Sequence, residues 1–149
     1  MPLIKDNTMK SWVAFTPTGT WTTNCTYTGF KRQVGENMEY QIKVSIAGGA
    51  PGVGGALSIN IPDTMDTSKM VDIEYFLRGQ ALLNDSSSTY YYGSLGYNTT
   101  TSFYVLKYLV SGSNLVTSVV TDTSPFSFGV AGTDEINITM SVPVVGLTA

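Results

Sequence analysis

The sequence predicts an all-β domain of the sandwich or barrel type, on three observations: little charge, many β-branched and aromatic residues, and short runs of strict alternation separated by turn residues. Charged residues make up 13% of the chain and apolar ones 42%, so charge is about half of what a globular domain usually carries. Thr, Ser, Asn and Gly must then cover much of the surface. Pleated strands accept β-branched and aromatic side chains more readily than helices do. At 149 residues the chain suits one domain, 1–149, because a single core of this size already buries roughly 70% of the unfolded surface.

Taken in order, the elements are these. The run TYTGFKRQ is extended, Val34-Gly35-Glu36-Asn37 has turn residues, and Met38, Tyr40, Ile42, Val44 and Ile46 then alternate with Glu39, Gln41, Lys43 and Ser45. Period-two alternation buries one face of a strand, so residues 26–46 are expected to form a β-hairpin. Glycines and Pro51 fill Gly48 to Gly55, which marks a loop. Leu57, Ile59 and Ile61 alternate with Ser58 and Asn60 up to Pro62, where a strand should end. Asp66 to Ile73 offers a short helical turn capped by Asp and Ser. Further strands are expected at Val71 to Leu83, Thr89 to Tyr97, Ser102 to Val110, Leu115 to Thr121 and Glu135 to Val142. In the last, Ile136, Ile138, Met140 and Val142 oppose Asn137, Thr139 and Ser141.

Composition narrows the chemistry. The chain has no histidine, which removes the commonest general base and metal ligand, and with them Ser-His-Asp and Cys-His catalysis. The close carboxylate pairs are Glu36/Glu39, Asp63/Asp66 and Asp72/Glu74, and none has the setting of a glycosidase acid and base. The segment from Asp63 to Ser68 lacks the acid spacing of a calcium loop, and Gly48 to Gly55 leads into a strand where a phosphate cradle needs a helix N-terminus. Cys25 has no second Cys to pair with, and its expected role is that of a small, buried apolar residue. No metal and no cofactor is expected. A net charge of −3 and a pI near 4.7 leave no basic stripe for nucleic acid. Apolar runs fall far short of the ~20 residues that span a bilayer, and MPLIKDNTMK lacks the apolar stretch of a signal peptide, so the expectation is a soluble protein outside the usual secretory route.

The most informative side chains are tyrosines. Tyr90, Tyr91 and Tyr92 are consecutive, so in a strand Tyr91 must face away from the other two, and a core that takes one set leaves the other exposed or at an interface. Tyr and Trp supply large rigid surfaces with a polar handle, which suits sugar faces and protein interfaces alike. Tyr90, Tyr91, Tyr92, Tyr97 and Asn98 are the candidate ligand-binding residues, beside the Ser-rich loop from Asp85 to Thr89. Packing in the core or across strands is the competing role for each ring.

Three segments carry a family resemblance. SWVAFTPTGTW followed by TYTGFKRQVGENMEYQIKVSI, the proline-ended strand LSINIPDTMD, and the close SPFSFGVAGTDEINITMSVPVVGLTA together resemble the C-terminal modules of phage tail-fibre, tailspike and related virion structural proteins. Leu147 stands where those modules close on Trp, and Gly132-Thr133-Asp134 stands for their Gly-Asp step. The resemblance implies a jelly-roll-like antiparallel β-sandwich, assembled as a homotrimer, with residues 1–10 as a linker or shaft-proximal segment. It implies a virion location after synthesis in the host cytoplasm, contacts with other virion proteins, and attachment to a host cell-surface glycan or protein receptor without catalysis. The alternative is a structural cap, trimerisation domain or capsid decoration protein that binds no host. The surplus of apolar and aromatic residues over charge also points to a trimer, since interfaces take Tyr, Trp, Phe and Met and shed Lys and Glu.

Overall fold

The structure, a computed structural model, describes residues 9–52, 55–71, 77–86 and 89–147. It is all-β. Strands β1 (Val13–Phe15), β2 (Thr18–Gly19), β3 (Cys25–Val34), β4 (Asn37–Ile46), β5 (Ser58–Asn60), β6 (Leu77–Asp85), β7 (Thr89–Thr99), β8 (Ser102–Ser111), β9 (Asn114–Val119) and β10 (Asp134–Pro143) form one antiparallel sheet. The order across it is β1-β3-β4-β10-β6-β7-β8-β5-β2, with β9 paired to β8 outside this path.

Alternation places the core as expected. Tyr40, Ile42, Val44 and Ile46 of β4 and Ile136, Ile138, Met140 and Val142 of β10 are buried, and meet Leu83, Leu95, Phe103, Val105 and Ile59 from the other strands in one cluster. The expected hairpin is β3 and β4, joined at Gly35-Glu36 with Val34 opposite Asn37. Three features differ from the sequence expectation. Val71 is fully exposed in a bend and the strand expected from there is described only from Leu77, residues 72–76 lying outside the described set. The helical turn contracts to a single 3-10 turn, Thr67–Lys69, capped by the Asp66 carboxylate on the Ser68 N–H. Two short strands, β1 and β2, were absent from the expectation, because two or three residues are too few to register as alternation.

The choice between sandwich and barrel resolves into a curled half-barrel. β1 and β2 occupy opposite ends of the strand order yet are separated only by Thr16 and Pro17, so the chain itself ties the two edges together. Side chains reinforce the tie. Lys31 of β3 donates to both oxygens of Asp63, at 3.1 and 2.9 Å, and the Tyr40 hydroxyl donates to Asp63 Oδ2 at 2.6 Å. The Tyr27 hydroxyl of β3 donates to the Trp21 carbonyl at 2.8 Å. An aromatic chain fills one end of the core: Trp21 lies 5.1 Å from Phe128, Phe128 4.1 Å from Phe126, and Phe126 5.5 Å from Tyr91. Cys25 is unpaired and half-buried against this core.

Candidate functional site

β10 is the last strand in sequence, and it lies between β4 and β6 in space. That insertion builds the outer face of the sheet, because register dictates which outward side chains become neighbours. Four rows result. Trp12 and Arg32 lead to Glu39 and Ser141. Phe30 is followed by Gln41, Thr139 and Gln80. Thr28 is followed by Lys43, Asn137, Leu82 and Tyr92, and Thr26 by Ser45, Glu135, Asn84 and Tyr90. At about 4.8 Å between strands, the row from Thr28 to Tyr92 spans roughly 19 Å.

The second and third rows enclose a shallow groove of about 490 Å³, lined by Thr28, Phe30, Gln41, Gln80, Asn137 and Thr139 among others. Its polar lining is amide and hydroxyl together with the Lys43 ammonium, and those groups point to solvent. Phe30 stands exposed at one end. At the other, Tyr92 is 70% and Tyr90 57% exposed. The charges on this part of the face offset one another, Lys43 lying 3.9 Å from Glu135. The groove therefore offers donors, acceptors and two aromatic faces in a nearly neutral field, the set that fixes the orientation of a neutral polar ligand while its apolar patches stack.

The structure divides the sequence-predicted residues. Tyr90 and Tyr92 share the outer face, and Tyr91 turns inward onto Phe126, as alternation requires. Tyr97 packs against the core. Asn98 donates from Nδ2 to Ser58 Oγ at 3.1 Å and Ser102 Oγ at 3.0 Å, so its amide holds β7 to its neighbours. Along β7, Asn98 is roughly 26 Å from Tyr90 at about 3.3 Å per residue, too far to share one small ligand. Of the loop beside the tyrosines, Asp85 and Ser86 are described and residues 87–88 lie outside the described set. Ser86 is anchored, its N–H donating to the buried Asp134 carboxylate at 2.9 Å, and the Gly129 N–H donates to the same group at 2.6 Å.

The carboxylates considered for catalysis have structural partners. Glu36 pairs with Lys69 at 3.0 Å, Glu39 with Arg32 at 2.7 Å and Asp63 with Lys31 at 2.9 Å, while Asp66 caps its turn. Asp72 and Glu74 lie outside the described residues. Among the described residues no group of three His, Cys, Asp or Glu side chains is placed to hold a metal ion.

Sequence reasoning missed Phe30, Gln80 and Arg78 as site residues. It placed Gln41, Asn137 and Thr139 on polar strand faces but could not bring those faces together. The available signal was the uncharged polar run Asn137, Thr139 and Ser141 on the outward face of β10. Comparison with family models, with curated proteins and with solved structures found no match to this chain.

Proposed function

We propose that this chain is a virion attachment module, the tip of a phage tail fibre or spike, which binds a host-surface glycan without catalysis. In this reading the curled sheet is the jelly-roll-like sandwich of a homotrimer, and residues on its outer face meet the sugar. The observation that carries the proposal is the groove across β3, β4, β10 and β6: exposed amides and hydroxyls in a neutral field, between Phe30 and the Tyr90/Tyr92 pair. Neutral sugar rings present hydroxyls at their edges and apolar C–H patches on their faces, and this lining answers both. The family resemblance supplies the biological setting.

The test is binding of the labelled protein to an array of bacterial surface oligosaccharides, alongside the variants Tyr92→Ala and Asn137→Ala/Gln80→Ala. Binding by the parent, lost in the variants at unchanged melting temperature, supports the proposal. Binding that survives both variants, or no binding across the array, refutes it.

A second reading is favoured by a different observation. The β8–β9 hairpin carries Val110, Leu115 and Val116 exposed, and Leu109 pairs with Val116 while Val110 pairs with Leu115, so apolar residues occupy both of its faces. Such an arm suits packing between subunits, as a structural cap or decoration protein requires.

A further inference from the structure

The groove does not end at Phe30. Gln41 and Thr139 also line a second hollow of about 310 Å³, together with Trp12, Arg32, Arg78 and Ser141. The two hollows are one trough that changes character along its length. Between Phe30 and Tyr92 it is nearly neutral. Past Gln41 and Thr139 two guanidinium groups line it, and they differ. Arg32 is committed: its Nε donates to Glu39 Oε2 at 2.7 Å and its guanidinium stacks 4.4 Å from the Trp12 ring centroid. Arg78 is exposed on the outer side of β6, and among the described residues no carboxylate pairs with it. Among the described residues the trough thus ends in one uncompensated positive charge, on a chain whose net charge is −3.

We infer that the ligand of this trough is an acidic oligosaccharide, whose carboxylate pairs with Arg78 while its neutral rings lie over the Gln41, Thr139 and Asn137 groove toward Tyr92. The inference rests on the reading of this face as a glycan site and names the class of sugar. A planar guanidinium matches a carboxylate with two parallel N–H···O bonds, which a lysine cannot do. The Ser141 and Thr139 hydroxyls beside it supply further donors. A single free charge suits a monoanion, and the other cations that line the trough, Arg32 and Lys43, already face Glu39 and Glu135, so a dianionic phosphate substituent would lack a second partner.

The experiment is binding of the full chain to an array of uronic-acid-containing bacterial oligosaccharides, their carboxyl-reduced neutral counterparts and phosphate-substituted ones, with Arg78→Gln, Arg78→Lys and Tyr92→Ala compared with the parent. The expected result is at least a tenfold preference for the carboxylate forms over the reduced ones, the range of a charged hydrogen-bonded pair. Arg78→Gln should abolish that preference, Arg78→Lys restore part of it, and Tyr92→Ala weaken both forms. Equal binding of acidic and reduced sugars, a preference that persists in Arg78→Gln, or a preference for phosphate would overturn the inference and leave the glycan reading standing. No binding to any member overturns both. A change of oligomeric mass on Arg78→Gln or Tyr92→Ala, measured by light scattering, would show the trough to be a contact between copies of the chain, and would also overturn it.

Discussion

At the scale of single residues, the fold holds several ionisable groups away from their ordinary behaviour. Burial pushes the Cys25 thiol from 9.0 up to about 11. The Tyr27 hydroxyl is raised by burial and then by the neighbouring Cys25 charge, and the Tyr40 hydroxyl by burial and then by the Asp63 carboxylate that accepts its hydrogen bond. Lys107, buried with its ammonium donating to the Val119 carbonyl at 2.8 Å, is lowered by burial. The consequence for stability follows from which state holds more protons. Above pH 9.0 for the thiol and 10.0 for the phenols, the unfolded chain releases protons that the folded chain keeps. Their contribution is complete below these values and is lost as pH climbs toward the folded values. Lys107 has the opposite sign, since below 10.5 it is the unfolded chain that holds the extra proton. Between pH 9.0 and 10.0 the thiol and Lys107 oppose one another; above 10.0 the two phenols join the thiol, so the urea midpoint should fall between pH 10 and 11. Cys25→Ser and Tyr40→Phe should each flatten that fall. A midpoint that rises across this range would contradict the assignment.

At the scale of elements, the irregularity in β6 shapes the cationic end of the trough. Pairing between β6 and β7 shifts between Leu77 and Ala81, and Gly79 within the shift has φ +154, with the Thr139 carbonyl and the Leu95 side chain where a Cβ would go. Bulges re-aim side chains next to binding sites, and this one sits beside Arg78. Gly112, in the turn of the β8–β9 hairpin, has φ +63 but nothing within 4 Å of an added Cβ. The two positions separate conformational strain from collision. Gly112→Ala should cost about 1 kcal/mol, the price of a left-handed conformation alone. Gly79→Ala should cost about 2–3 kcal/mol and weaken acidic-glycan binding, because the backbone or Leu95 must move. Chemical denaturation of the pair against the parent measures the difference, and equal costs would show that the bulge yields freely.

The same scale shows how far the sequence could be followed. Period-two alternation on 38–46 and 136–142 correctly assigned inner and outer faces, and the turn residues at Gly35-Glu36 located the hairpin. Tyr90, Tyr91 and Tyr92 split between faces as a strand demands. Tyr97, in phase with Tyr91 and still in register opposite Phe103, packs inward as alternation requires, whereas Asn98 lies in a second shift, between Tyr97 and Thr99 in the pairing of β7 with β8. Within such an irregularity the local pattern no longer reports which side a residue takes.

At the scale of the whole molecule, the proposal requires assembly into a trimer. The arm formed by β8 and β9 extends apolar side chains beyond the core, and interfaces enrich such residues. Light scattering at micromolar concentration should report three times the 16.0 kDa chain mass. Val110→Lys combined with Leu115→Lys should dissociate the assembly without unfolding the domain. A monomeric parent protein would remove the trimer from the proposal, and a trimer that tolerates both lysines would remove the arm from the interface.

By itself the sequence determined the class of structure, the faces of its strands and the absence of histidine-based chemistry, because each depends on composition or on residues a few positions apart. Only the tertiary structure decided that β10 enters between β4 and β6. That choice sets Thr139 between Gln41 and Gln80, and Asn137 between Lys43 and Leu82, and so creates the trough. Alternation tells a strand which face to bury and is silent on its neighbour, since pairing depends on contacts between distant segments and on the geometry of the whole curled sheet. The tie between Lys31, Asp63 and Tyr40 has the same origin, joining residues 23 and 32 positions apart, and no local pattern contains it.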